Sequence, residues 1–101
     1  ATLVTAGVFE YVWLLIFASQ VRAVHYLNGG AANVEDLRPF YTAAVQQHPH
    51  LASYPFTSWL AFMISWVLIR QDGTVVQITV RGREFLKYLV ETGKTADDLV
   101  N

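Results

Sequence analysis

A run of fifteen residues without a charge, from Pro55 to Ile69, constrains the fold of this chain more than any other segment. Its length favours a helix over a strand, and Pro55 suits a first helical turn, where its missing N–H costs little. Apolar residues occupy nearly every angle around the axis, so the helix must be buried on most sides. Only a narrow stripe of small residues, Ser58, Ala61 and Ser65, offers a place where another backbone could approach closely.

The composition indicates more apolar surface than a small monomer easily hides. Hydrophobic residues make up 53% of the 101 residues and charged residues only 15%, against a usual charged share of about 25%. This length predicts one domain covering residues 1–101. Self-association, a protein partner, a membrane or an apolar ligand could each cover the excess. The chain begins Ala1-Thr2 without a methionine, which fits processing or a fragment of a longer protein.

The charge of the chain disfavours nucleic-acid binding, and its hydropathy disfavours a membrane-spanning helix. Seven Lys plus Arg against eight Asp plus Glu give a formal net charge of −1, so no general basic field gathers phosphates. The two most apolar runs, Tyr11 to Ala18 and Trp59 to Ile69, are bounded by charged or polar residues and fall short of the roughly 20 residues that a spanning helix needs. We therefore predict no membrane span and a cytoplasmic location.

No motif predicts catalysis, a metal or a cofactor. The sequence has no cysteine, no Gly-x-Ser-x-Gly, no phosphate loop and no His-Glu-x-x-His. No pattern of further metal ligands lies near the two histidines of His48-Pro49-His50, so we interpret this segment as a solvated turn. We also interpret His25 as a residue that binds no metal. Glu10 is interpreted as a carboxylate at a helix edge rather than a buried functional group. We expect a non-enzymatic protein without a cofactor.

Two further helices are expected before the uncharged run. A long one runs from Leu3 or Val8 through Asn28 and ends at a pair of glycines. After a soft spacer, Ala31-Ala32-Asn33, a second, amphipathic helix begins with Asp36 as its N-cap, which places Pro39 in the first turn. The first helix is long for so small a domain, so part of it is expected to pack beyond its own subunit.

A hairpin and a last helix complete the predicted order. Asp72-Gly73 marks a turn between the end of the uncharged run and Thr74–Val80, which is rich in β-branched residues. Thr79 is expected to cap a final helix that Gly93 stops. The order helix, helix, helix, strand, strand, helix defines a mainly α protein with a small β-hairpin, in the α+β class.

The passage Ile78-Thr79-Val80-Arg81-Gly82-Arg83-Glu84-Phe85-Leu86 resembles the Ile/Leu-Thr-x-x-Gly-x-x-Phe-Leu passage from wing strand to C-terminal helix in winged-helix proteins similar to the PadR and MarR regulators. Leu68–Gly73 resembles the start of such a wing. The resemblance covers roughly Val8 to Gly93 and implies a winged-helix fold. It also implies that the third helix enters the major groove of DNA while the wing contacts phosphate or the minor groove.

The sequence departs from what a DNA reader needs. The third helix carries no Arg, Lys, Asn or Gln before Arg70, and the tip of the hairpin has an acid, Asp72. Modules of this size use about 6–10 phosphate contacts, which seven scattered cations cannot supply on one face. The cations that could contact phosphates are Arg70, Arg81, Arg83 and Lys87.

The leading prediction is a non-catalytic interaction module that uses apolar helix surface to form a homodimer or to dock to a protein partner. The residues predicted for this interaction surface are Trp13, Phe17, Ser58, Ala61, Phe62 and Ser65. Two alternatives stay open: a DNA-binding regulator that acts as a dimer, and a pocket for an apolar ligand lined by aromatic residues of the first and third helices. The residues of this pocket are Trp13, Phe17, Trp59, Phe62 and Trp66.

Overall fold

The computed structural model describes the backbone of residues 2–99 and the side chains of residues 7–99. In this range five α-helices pack around a three-stranded antiparallel sheet, which makes the fold α+β. The helices are α1 (Thr2–Leu15), α2 (Ala18–Leu27), α3 (Arg38–Gln47), α4 (Phe56–Ser65) and α5 (Val80–Glu91). The strands are β1 (Ala32–Asn33), β2 (Ile69–Asp72) and β3 (Val75–Ile78).

The predicted first helix is interrupted between α1 and α2. Phe17 is extended, with φ −88° and ψ 151°, and its N–H donates to Oε1 of Gln20 at 2.8 Å. The side chain of Gln20 is buried, and its Nε2 donates to the carbonyl of Trp59 at 2.9 Å. One amide therefore satisfies the start of α2 and also ties α2 to α4. The prediction of one continuous helix is wrong.

The sheet has one strand more than the predicted hairpin. β2 and β3 pair around the loop Gly73-Thr74, and Gly73 has φ 61°, as the first position of a type II′ turn requires. β1 pairs with the other edge of β3, which gives the order β1-β3-β2. The interpretation of Ala31-Ala32-Asn33 as a soft spacer is wrong for its last two residues, because they form this strand.

A 3-10 turn, Val34–Leu37, precedes α3. Oδ1 of Asn33 accepts from the N–H of Glu35 at 2.9 Å, and Oδ2 of Asp36 accepts from the N–H of Asn33 at 3.0 Å. Asp36 therefore belongs to the cap of the 3-10 turn, and its prediction as the N-cap of α3 is wrong. Pro39 lies in the first turn of α3, as predicted.

α4 supplies the centre of the core. It buries Phe56, Trp59, Leu60 and Met63. The indole N–H of Trp59 donates to Oγ of Ser19 at 3.0 Å, so even the polar atom of this ring is satisfied in the interior. α4 ends at Ser65, the chain turns at Val67 and Leu68, and β2 begins at Ile69, so the last residues of the uncharged run are extended.

Thr79 joins the hairpin to α4 and α5. Its Oγ1 accepts from the N–H of Gly82 at 2.9 Å, and its hydroxyl donates to the carbonyl of Val67. Its own N–H donates to the carbonyl of Leu68 at 3.1 Å. A Cβ added to Gly82 would lie 2.1 Å from that same carbonyl oxygen, so only glycine fits there. The prediction that Thr79 caps the last helix is confirmed.

α5 ends in a Schellman motif. The N–H of Lys94 donates to the carbonyl of Leu89 at 2.8 Å, and the N–H of Gly93 donates to Val90 at 3.2 Å. Gly93 has φ 70°, a left-handed conformation that glycine adopts without strain. The predicted stop at Gly93 is confirmed. In the middle of α5, the ring of Phe85 meets the ring of Phe9 of α1 edge-on at 5.5 Å.

α4 ends in the same motif without a glycine. The N–H of Leu68 donates to the carbonyl of Met63 at 2.9 Å, and the N–H of Val67 donates to Ile64 at 2.9 Å. Val67 takes the left-handed position, with φ 61°. Among the residues described, it is the single one other than glycine with positive φ. For a β-branched residue this conformation is an outlier that carries strain.

Candidate functional site

The face of α4 that points away from the core is small and uncharged. Thr57, Ala61 and Ser65 are exposed and Ser58 is half-buried. Oγ of Ser65 donates back to the carbonyl of Phe62 at 2.9 Å, so this hydroxyl is used within the helix. α4 is therefore buried on one side and open on the other, and the predicted stripe of small residues lies on the open side.

An open groove of ≈ 410 Å³ runs between α4, the start of α3 and β2. Its rim carries an ion pair in which Nε of Arg38 lies 2.8 Å from Oε1 of Glu35, and the guanidinium lies 4.2 Å from the ring centroid of Phe56. The hydrogen bond from Arg38 holds the pKa of the Glu35 carboxyl below its usual value. Arg38 is thus engaged by a carboxylate and by an aromatic ring of its own chain.

Tyr54 links two of the predicted surface residues, Phe17 and Ser58. The rings of Phe17 and Tyr54 meet edge-on at 5.4 Å, and Oη of Tyr54 donates to the carbonyl of Ser58 at 3.2 Å. Tyr41 donates to the carbonyl of Tyr54 at 2.8 Å. Burial raises the pKa of the Tyr54 phenol. Phe17 and Ser58 are half-buried and serve this internal packing, and Trp13 is likewise half-buried against the core.

A second aromatic group joins α4 to α1 at the surface. The ring of Trp66 lies 6.4 Å from that of Phe62 and 5.6 Å from that of Tyr11. Tyr11 is 54% exposed, and Leu14 and Leu15, one turn further along α1, are 78% and 45% exposed. We call these residues, with the exposed Val67, the α1–α4 surface: Tyr11, Leu14, Leu15, Phe62, Trp66 and Val67.

Sequence reasoning identified only Phe62 of the α1–α4 surface as an interaction residue. The spacing of Tyr11, Leu14 and Leu15 is that of one helix face, which was the available signal. Because α1 is apolar on both faces, periodicity alone does not tell which face packs inward. The ring of Phe9 packs against Phe85 at 5.5 Å, and this contact with α5 decides that the Tyr11 face stays outside.

The two tryptophans in α4 and at its C-terminal end, which were predicted to line an aromatic ligand pocket, lie in different parts of the structure. Trp59 is fully buried with its indole N–H bonded to Ser19, so it is a core residue. Trp66 lies at the surface beside Tyr11. These two tryptophans therefore do not line one common cavity.

The predicted phosphate-contacting residues are all exposed, on two elements. On β2, Nη2 of Arg70 donates to Oε1 of Gln77 at 3.3 Å. Arg81, Arg83 and Lys87 belong to α5. Arg83 and Lys87 are one turn apart on the same side, whereas Arg81, two residues before Arg83, points to another side. The three cations of α5 therefore do not form one continuous face.

The histidines and Glu10 show no sign of a metal site. His48 and His50 lie with ring centroids 5.9 Å apart, and His25 and Glu10 are exposed. Within the described part of the chain, no group of three or more His, Cys, Asp or Glu is placed to hold a metal ion. In the same residues, no helix has the length and apolarity to cross a membrane.

No protein-family model matches this sequence, and no curated protein or solved structure does either.

Proposed function

We propose that this chain is a non-catalytic winged-helix interaction module that binds protein through the α1–α4 surface. The element order supports the winged-helix assignment, because β1 lies between α2 and α3, and the hairpin of β2 and β3 follows α4 directly. The contacts of Thr79 and Gly82 give a structural reason for the motif that resembles the wing-to-helix passage. A fold alone does not assign a function, so protein binding is inferred from the residues of the α1–α4 surface.

The observation that supports protein binding most directly is the exposure of large apolar side chains on α1 beside the half-buried rings at the end of α4. Leu14 is 78% exposed, and Tyr11 contacts Trp66 rather than standing alone. Single exposed apolar residues are ordinary, but contiguous ones are typical of interaction sites. Covering such a surface releases about 25 cal/mol per Å² of apolar area.

The conformation of Val67 supports the same proposal. A left-handed conformation costs an L-residue about 1–2 kcal/mol, and glycine would avoid that cost. The side chain of Val67 is 47% exposed, so burial within the chain compensates for only part of the strain. Strain at an exposed apolar residue fits a side chain that makes its contacts with another molecule.

The open side of α4 supports protein rather than DNA as the partner. Base reading relies on Arg, Lys, Asn or Gln directed at base edges. α4 has none of these residues, and its outward positions are Thr57, Ala61 and Ser65. The nearby cation Arg38 is paired with Glu35.

Dye binding and light scattering test the proposal together. We expect the unmodified chain to bind a hydrophobic fluorescent dye or to self-associate, and Leu14→Asp to reduce that signal. Val90→Asp is the matched control, because Val90 is 75% exposed but lies on α5 outside the α1–α4 surface. A monodisperse monomer at high concentration that binds no dye would contradict the proposal.

DNA binding by a dimer is the second candidate. It is favoured by the exposure of Arg70, Arg81, Arg83 and Lys87, whose number doubles in a dimer. This candidate predicts retardation of duplex DNA at low salt that weakens steeply as salt rises. No retardation at low salt would exclude it.

A further inference from the structure

We infer that the partner on the α1–α4 surface is a second copy of this chain, with the two α1 helices packed antiparallel about a two-fold axis. The inference rests on the proposed function, because it names the occupant of that same surface. It is based on the sizes and chemical groups of the side chains along the exposed face of α1, and on the order in which they occur.

The exposed face of α1 carries a gap and a protrusion two turns apart. Gly7 is exposed, and a Cβ built on it would meet no atom within 4 Å. Leu14 is the most exposed large apolar residue described. Glu10 and Tyr11 lie between them, also exposed. Along the helix, this face therefore presents a glycine, a carboxylate, a phenol and a leucine side chain in that order.

Two-fold symmetry turns this order into a set of complementary pairs. In an antiparallel pair of identical helices, the register that places Gly7 opposite Leu14 also places Glu10 opposite Tyr11. The leucine then occupies the space above the glycine, and the carboxylate can accept a hydrogen bond from the phenol hydroxyl. Each pair occurs twice, once on either side of the axis.

A second copy fits this face better than an unrelated partner. The one charge on it, that of Glu10, receives a hydrogen-bond donor in this register instead of being buried alone. Trp66 contacts Tyr11 at 5.6 Å, so the end of α4 lies beside the helix pair and extends the interface. One helix face with these flanking side chains is small for a specific interface, so we expect a dissociation constant in the micromolar range.

Disulfide trapping tests the register directly, because the chain contains no cysteine. We expect a mixture of the Gly7→Cys and Leu14→Cys variants to form a disulfide-linked dimer on mild oxidation, and either variant alone to form little. Opposed residues come within bonding reach, whereas each position lies about 10 Å along the axis from its own copy. Linked dimers in the separate variants, or none in the mixture, would overturn the antiparallel register.

Sedimentation of the unmodified chain tests self-association independently of the thiols. We expect the dimer fraction to rise with concentration, Leu14→Asp to raise the dissociation constant at least tenfold, and Val90→Asp to leave it unchanged. A chain that stays monomeric at every concentration, yet binds dye in a way that Leu14→Asp abolishes, overturns the second copy as partner and leaves the proposed function in place. A monomer without dye binding overturns both.

Discussion

Val67 occupies the position at the end of α4 that Gly93 occupies at the end of α5, with nearly the same φ. We expect Val67→Gly to raise the free energy of unfolding by up to about 1 kcal/mol. Relief of the left-handed strain gives about 1–2 kcal/mol, and the greater freedom of glycine in the unfolded chain offsets about 0.5–1 kcal/mol of it. Urea unfolding followed by circular dichroism measures the difference.

The reverse change at α5 is the control. A Cβ on Gly93 would meet no atom within 4 Å, so Gly93→Val adds backbone strain without a clash. We expect it to lower the free energy of unfolding by about 0.5–1 kcal/mol, because the smaller freedom of valine in the unfolded chain again offsets part of the strain. If Val67→Gly destabilised the protein as well, the strain assigned to Val67 would be wrong.

Gly82 is required for a different reason, which is space. We expect Gly82→Ala to lower the free energy of unfolding by about 2–3 kcal/mol, because its Cβ would lie 2.1 Å from the carbonyl oxygen of Leu68. Gly7→Ala in α1 is the matched control, since nothing lies near the added methyl group and alanine is the better helix former by about 1 kcal/mol. Thermal unfolding of dilute protein should show opposite shifts for the two variants.

At the scale of elements, Gln20 sets the boundary between α1 and α2. Gln20→Leu would leave the N–H of Phe17 without its partner and would remove the hydrogen bond that ties α2 to the carbonyl of Trp59. An unsatisfied donor costs about 1–3 kcal/mol and a lost hydrogen bond about 0.5–1.5 kcal/mol, so we expect a loss of about 2–4 kcal/mol in urea unfolding. Gln46→Leu, at an exposed site on α3, should change stability by less than about 0.5 kcal/mol. Equal effects of the two changes would contradict the role of Gln20.

Elements specified by local chemistry were predictable from the sequence. The hairpin follows from its turn and β-branched residues, and the limits of α5 follow from Thr79 and Gly93. The break before α2 was not predictable, because no proline or glycine marks it and the stabilising contact joins Gln20 to Trp59. β1 was missed for the same kind of reason: two residues become a strand only through pairing with β3.

The candidate site was less predictable than the fold. Sequence patterns identify apolar helix faces, and here they singled out Phe17, which packs against Tyr54 inside the chain. Which face of α1 remains in contact with water depends on α5, through the contact of Phe9 with Phe85. An apolar helix face stays exposed only where no other element of the chain packs against it, and the packing of elements is a property of the tertiary structure.

For the whole molecule, the inferred dimer couples stability to concentration. A protein that associates only when folded is stabilised by mass action, so we expect the melting temperature to rise as protein concentration rises. Leu14→Asp should remove this dependence because it places a charge in the interface. Val90→Asp should keep it. Scanning calorimetry over a hundredfold range of concentration makes the comparison, and a constant melting temperature for the unmodified chain would contradict self-association.

Trp59 and Trp66 lie in different surroundings: Trp59 is in the interior with its indole N–H bonded, and Trp66 is half-buried beside the exposed Tyr11. Indole emission shifts to shorter wavelength and resists ionic quenchers where water is excluded. A Trp13→Phe variant removes the third tryptophan, and its native spectrum should therefore contain a shielded component from Trp59 and a quenchable one from Trp66. A molecule that binds over the end of α4 would protect the Trp66 emission from the quencher. The intrinsic fluorescence of the protein would therefore report binding at this surface.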